Sequence, residues 1–165
     1  MNQITSQTNS TITLILGSIM LAIILTFIPL PSWAEPYRPE WLILVAIYWS
    51  MTTPQTFGLG SAWFSGLIID VLRGTLLGQH ALGFALTAAI GMRIHYRLGN
   101  YSYIQQIILV ALLLLPYMSL NLWIYGTLDE SPETALYWAP VLTTALCWPL
   151  LAIIMRASGH RHHVF

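Results

Sequence analysis

Charge is what this chain most lacks. Only 7% of its 165 residues are Asp, Glu, Lys or Arg, against roughly 25% in a soluble domain. Six basic and six acidic side chains leave no formal net charge, so the electrostatic footprint of a nucleic-acid binder is missing. The one cysteine, Cys147, lies in an apolar stretch; it excludes an internal disulfide and a thiolate metal cage. Ser50, Thr52, Ser61, Ser65, Thr143 and Thr144 lie in or beside apolar runs, but none sits in a nucleophile-elbow pattern with a base and an orienting group. They read as hydrogen-bonding groups between helices. No repeat, low-complexity tract or soluble domain is visible. The first apolar run lacks a positive flank and is too long for a signal peptide, although Ser32-Trp33-Ala34 offers small residues at a cleavage-like spacing.

What is abundant is apolar surface. Hydrophobic residues make up 56% of the chain, and the mean hydropathy is +0.68. A water-soluble protein of this size could not hide that much, so the composition points to an integral membrane protein. Seven tryptophans and eight tyrosines suit the belts at the two membrane–water interfaces.

The apolar runs divide the chain into six spans. Residues 1–10 read as a polar tail, residues 11–155 as one membrane domain, and residues 156–165 as a second polar tail. The first span covers 11–30 and ends at Pro29 and Pro31. A short loop carries Glu35, Arg38 and Glu40, flanked by the interfacial anchors Trp33, Tyr37 and Trp41. Pro39 suits the start of a helix. The second span, 41–53, is shorter than the about 20 residues of a straight crossing, which calls for local thinning or for burial inside the bundle. The third covers 58–72; residues 73–80 form a re-entrant turn or a membrane-edge loop, and the fourth opens at Ala81. The fifth, 104–125, contains Pro116, a predicted kink, and Asn121, a predicted bond to a neighbouring helix. An acidic loop with Asp129, Glu130 and Glu133 leads to the sixth, 135–155, with Pro140 and Pro149. With both ends in the cytoplasm, Arg93, Arg97, Arg156 and Arg161 fall inside and Arg38 and Arg73 outside, which agrees with the positive-inside rule.

One stretch organises the rest. Gly58, Ala62, Gly66, Asp70, Gly74 and Gly78 recur at every fourth position, and residues four apart share a helix face. Small residues let membrane helices approach closely. Asp70 therefore faces protein, not lipid, and Arg73 stands one turn away. Two readings stay open: Asp70 and Arg73 form a structural pair that locks helix packing, or, with His80, they form a polar site for a ligand or partner. One histidine beside one acid is weak grounds for proton transfer. His160, His162 and His163 have no acid or thiol beside them and read as a solvated tail.

Several of these residues carry a resemblance. Arg38-Pro39-Glu40-Trp41, the apolar run 42–49, Gly58, Gly60, Ala62 and Trp63, then Gly66-Leu67, Asp70, Gly74 and Gly78-Gln79-His80-Ala81-Leu82 are similar to the pattern of the rod shape-determining MreD family. The match spans residues 36–90. It implies a small multi-pass protein of the bacterial inner membrane, without catalytic activity or cofactor. Its implied place is the complex that builds side-wall peptidoglycan. The implied partners are the bitopic protein MreC and, through it, a RodA-type SEDS glycosyltransferase, a class B penicillin-binding transpeptidase and, indirectly, MreB filaments. It also implies an all-α six-transmembrane-helix bundle similar in architecture to the substrate-binding subunits of energy-coupling-factor transporters. A vitamin-type binding subunit is accordingly the alternative, with a pocket beside the loop after Arg73. On the scaffold reading, Gly66, Asp70, Arg73, Gly74, Gly78 and His80 hold the bundle, while Tyr37, Arg38 and Trp41 meet partner segments outside the membrane.

Overall fold

A computed structural model describes residues 2–94, 101–128 and 136–158, with side chains from Ser10 onward. Among these residues there are six α-helices and no strand: α1 (Asn2–Phe27), α2 (Trp41–Thr52), α3 (Leu59–Arg73), α4 (Gln79–Ile94), α5 (Tyr103–Thr127) and α6 (Ala139–Ala157). Short 3-10 turns at Glu35–Tyr37 and Leu136–Trp138 lead into α2 and α6. The helix α1 starts at Asn2, so its backbone runs through the stretch expected to be a tail. The histidines expected in the C-terminal tail and the acidic loop 129–133 lie outside the described residues.

Helix α2 is the centre of the bundle. It is apolar on every side, and a helix of that kind belongs in an interior. Leu42 through Met51 are all buried, and α2 packs against α1, α3, α4 and α6. This explains its length. At 12 residues it rises about 18 Å, well short of the about 30 Å hydrocarbon layer, but α2 is shielded by its neighbours. Three helices are long and apolar enough for a full crossing: Ser10–Phe27 within α1, Tyr103–Thr127, and Leu136–Ala157. Helices α2, α3 and α4 are shorter.

The outer helices present apolar ridges at helical spacing. Leu16, Met20 and Ile24 on α1, Ile104, Ile108 and Leu112 on α5, and Leu142, Leu146 and Leu150 on α6 are all exposed. Ridges this continuous belong in lipid, since soluble monomers rarely expose such patches.

Lipid is as apolar as leucine, so burial alone does not drive the helices together; close packing and interhelical hydrogen bonds do. Trp49 Nε1 on α2 donates to Ser18 Oγ on α1 at 2.8 Å, and Trp148 Nε1 on α6 donates to Gln106 Oε1 on α5 at 3.0 Å. The Glu40 N–H, just before α2, donates to Thr144 Oγ1 on α6 at 2.9 Å. Four of the other hydroxyls expected to bridge helices turn back on their own. Ser50 donates to Ile47 O, Thr52 to Tyr48 O, Ser65 to Ser61 O and Thr143 to Ala139 O. The carbonyl one turn back is always within reach of such a side chain. Asn121 does the same, donating through Nδ2 to Tyr117 O in its own helix rather than to a neighbour. Both α5 and α6 continue as helix through Pro116 and Pro149. Ser102 and Gln105 close a reciprocal capping box at the start of α5.

Candidate polar site at one end of the bundle

Helix α3 ends where Gly74 adopts a left-handed conformation at φ 66° and donates its N–H to Asp70 O. Gly78 follows at φ 101°. Side chains with a Cβ are strained in this region, and glycine is not. The tight turn points its backbone donors at the Asp70 carboxylate. Oδ2 accepts from Gly78 N at 2.8 Å and Ala81 N at 3.4 Å; Oδ1 accepts from His80 N at 2.9 Å and Thr75 Oγ1 at 3.0 Å. His80 Nδ1 lies 2.8 Å from the same Oδ1. Its Nε2 lies 3.4 Å from Arg73 Nη1. Arginine can only donate, so Nε2 accepts and the proton sits on Nδ1, donated to Asp70. Asp70 is 1% exposed, and a carboxylate at that depth requires this many partners.

The pair expected between Asp70 and Arg73 does not form. The backbone donors of the 74–81 segment hold Asp70, whereas Arg73, at the last turn of α3, reaches the start of α2. There its Nη1 and Nη2 donate to the two oxygens of Glu40, at 3.2 and 3.0 Å. The fork geometry makes this a two-point clamp between α2 and α3. A continuous chain therefore runs Asp70–His80–Arg73–Glu40 and ties α3, α4 and α2 together.

The small-residue stripe splits into two functions. Ala62, Gly66 and Asp70 face inward on α3. A Cβ on Gly66 would stand 2.4 Å from Ala81 Cα, so the absence of a side chain is what lets α3 and α4 touch. Gly74 and Gly78 have open space where a Cβ would go; their role is the turn. Leu76 and Leu77 on that turn are exposed, an apolar tip suited to the membrane edge.

Beside this cluster lies a cavity of about 720 Å³. Its walls come from the C-terminal end of α1, the 35–40 loop, the facing ends of α3 and α4, the second half of α5 and the start of α6. Arg38 is turned into it. Its Nη2 pairs with Glu35 Oε2 at 2.9 Å, its Nη1 donates to Thr26 O, and its side chain is only 15% exposed.

A family model described as rod shape-determining protein MreD matches residues 7–157. The chain belongs to that family. It is 30% identical over 146 residues to the rod shape-determining protein MreD of Haemophilus influenzae, covering 86% of this chain and 88% of the relative. No solved structure matches, so the expected likeness to energy-coupling-factor subunits is not shown. What the structure adds to family membership is the arrangement of the motif residues. Gly66, Asp70, Gly74, Gly78 and His80 form one turn and its supports. Arg73 joins them through His80 and Glu40. Of the three residues expected to face partners, Tyr37 is exposed, Trp41 is half-buried against the core, and Arg38 points inward.

Sequence reasoning named Glu40 only as a loop acid and motif residue, without a role at this site, and passed over Thr75 and Tyr117. Glu40 had a signal: it is the acid directly before the apolar run of α2. Its partner lies 33 residues on, a distance no helical periodicity spans. Tyr117 is buried and packs its ring against His80, with centroids 6.1 Å apart, and nothing in its local sequence separates it from the core aromatics.

Proposed function

We infer that this chain works in a membrane in rod-shape determination, a reading supported by its family and by three helices long and apolar enough to cross a bilayer. We propose that it is a non-catalytic inner-membrane subunit of the cell-elongation complex, working as a scaffold. It binds MreC and, through MreC, assembles a RodA-type glycosyltransferase and a class B penicillin-binding transpeptidase, with MreB filaments joined indirectly. Both chain ends lie in the cytoplasm, and the cavity end faces outward.

The observation that carries this reading is how the polar groups are distributed. The acid and base of the motif are bonded to each other's surroundings and hold the fold. What α1, α5 and α6 offer to other molecules is a set of apolar ridges spaced like the side of a transmembrane helix, and such ridges receive another helix by packing. Exposed Trp33 and Tyr37 stand at the same end as the cavity, where a partner's juxtamembrane segment would pass. The transporter-subunit alternative draws no support from the family or from any solved structure.

The test is co-purification of the tagged full-length protein from membranes of its own host, with the neighbours identified by mass spectrometry and cell shape recorded. MreC and the two synthases are expected in the eluate, and replacement of exposed ridge residues (Ile104→Ser with Ile108→Ser) is expected to reduce recovery and round the cells. A correctly folded protein that recovers none of the three overturns the reading.

A further inference from the structure

The cavity has charged side chains that a ligand can reach. Glu35, Arg73 and Glu40 line it, and their side chains are 55%, 24% and 19% exposed. Each charge already has a partner: Arg38 pairs with Glu35, and Arg73 with Glu40. Their hydrogen-bonding capacity is not used up. A carboxylate has about four acceptor sites and a guanidinium has five N–H donors. Glu35 accepts from Arg38 through Oε2, which leaves Oε1 outside the pair. Arg73 uses Nη1 and Nη2 on Glu40 and His80. Its Nε bonds to none of the described residues and, unlike Arg38 Nε, is not shut away in the interior. Donors and acceptors thus lie side by side on a wall whose four formal charges cancel.

This wall selects against charge. An anion could take Arg73 only by displacing Glu40, and a cation could take Glu40 only by displacing Arg73. Either leaves a partly buried charge without its partner, which is costly. A hydroxyl displaces nothing, because it donates to a carboxylate and accepts from a guanidinium at once. The rest of the lining is apolar and aromatic. Phe27 and Leu136 are exposed, and the rings of Tyr125 and Tyr137 are half-buried in the wall. Tyr137 is fixed by its hydroxyl, which donates to Met118 O at 2.8 Å. The face of such a ring is electron-rich and attracts the weakly positive C–H bonds of a pyranose. The volume lies within the about 300–1,000 Å³ typical of ligand pockets.

We propose that this cavity binds an uncharged saccharide, its hydroxyls bridging Arg73 and Glu40 and reaching Glu35, and a C–H face of the sugar ring lying on Tyr125 or Tyr137. This goes beyond the scaffold role, which uses the apolar ridges and does not need the cavity. The same sugar chemistry could arrive free in solution or carried on a lipid. A lipid chain would have a path, since Phe27 at the cavity is followed outward by the exposed Ile24 and Ile28.

The experiment uses the purified full-length protein in a polyoxyethylene detergent, which carries no sugar. Glucose, glucuronate and protonated glucosamine are titrated in separate arms, with binding read by calorimetry and by saturation-transfer NMR. Glucose is expected to bind about tenfold or more tightly than either charged analogue. Glu35→Gln leaves one positive charge in excess on the wall and is expected to shift the preference about fivefold toward glucuronate. Arg38→Gln is expected to shift it about as far toward glucosamine. Tyr125→Leu is expected to weaken glucose binding about threefold or more. Each variant is first checked for an unchanged helical spectrum, and the comparison of the three sugars on the unaltered protein stands where a variant fails to fold. No binding of glucose, equal binding of the three sugars, or a preference that neither charge substitution moves overturns the proposal. Octyl glucoside below its micelle concentration, with octanol as the control for the chain, separates the two sources. Displacement of glucose at about tenfold lower concentration by octyl glucoside alone supports a sugar carried on a lipid, and displacement at the concentration of glucose itself supports a free sugar.

Discussion

The α3–α4 turn and the cavity beside Arg38 share a wall, since Arg73 and His80 belong to both, yet they treat polar groups in opposite ways. Around Asp70 every oxygen is met by a backbone or side-chain donor. On the cavity wall, Arg38 and Asn121 each bury one polar atom, Nε and Oδ1, without a partner among the described residues. A fully bonded buried network fixes one conformation. The motif acid, which drew attention as a functional site, is thus held wholly by the protein's own donors.

Substitutions can break this contrast. The largest effect is expected at Asp70. Asp70→Leu removes the acceptor for the whole turn and should destabilise the protein by about 3–5 kcal/mol, the cost of breaking a buried charged network; the loss is read from thermal unfolding in detergent. A change below about 1 kcal/mol would show that the turn stands without its carboxylate. Gly66→Ala comes next. The new methyl meets the α4 backbone rather than a yielding side-chain tip, and overpacking of this kind costs about 1–3 kcal/mol.

A smaller loss, about 1–2 kcal/mol, is expected for Gly74→Ala, because only the left-handed φ is at stake and there is room for the methyl. If Gly74→Ala proved as damaging as Gly66→Ala, the division of the stripe into a packing face and a turn would be wrong. The clamp between α2 and α3 can be measured with a double-mutant cycle on Glu40→Gln and Arg73→Gln. A coupling of about 0.5–3 kcal/mol is expected, and additive effects would mean the pair does not join the two helices.

The smallest effect sharpens the comparison most. In detergent, Asn121→Leu should cost less than about 0.5 kcal/mol or even stabilise, since it removes a buried acceptor that has no partner among the described residues. A large loss at Asn121 would mean that its amide supports α5 and that the cavity wall is structural after all.

Much of the architecture was legible in advance. Six helical segments, an end of α1 near Pro29 and Pro31, the turn after Arg73 and the inward face of Asp70 all followed from apolar runs, prolines and the four-residue spacing of small residues. The shortness of α2 called for either local thinning or burial inside the bundle, and residues 42–51 are buried. Less legible were the partners of the polar side chains. Serine and threonine could bond to a neighbouring helix or to their own; Ser50, Thr52 and Ser65 took the closer carbonyl, whereas Thr87 and Thr144 bond across helices. Arg73 had Asp70 one turn away and paired instead with Glu40, because the turn's N–H groups already held the nearer acid.

The sequence by itself determined that this chain lives in lipid, that its polar groups are few, and that glycines clear a path around Asp70. These follow from composition and from periodicity, which are local properties. Only the tertiary structure decided that Glu40 rather than Asp70 receives Arg73, that Arg38 turns inward, and that a cavity opens beside them. Those outcomes depend on which helix ends meet, and that depends on how α1, α3, α4 and α6 close around a wholly apolar α2.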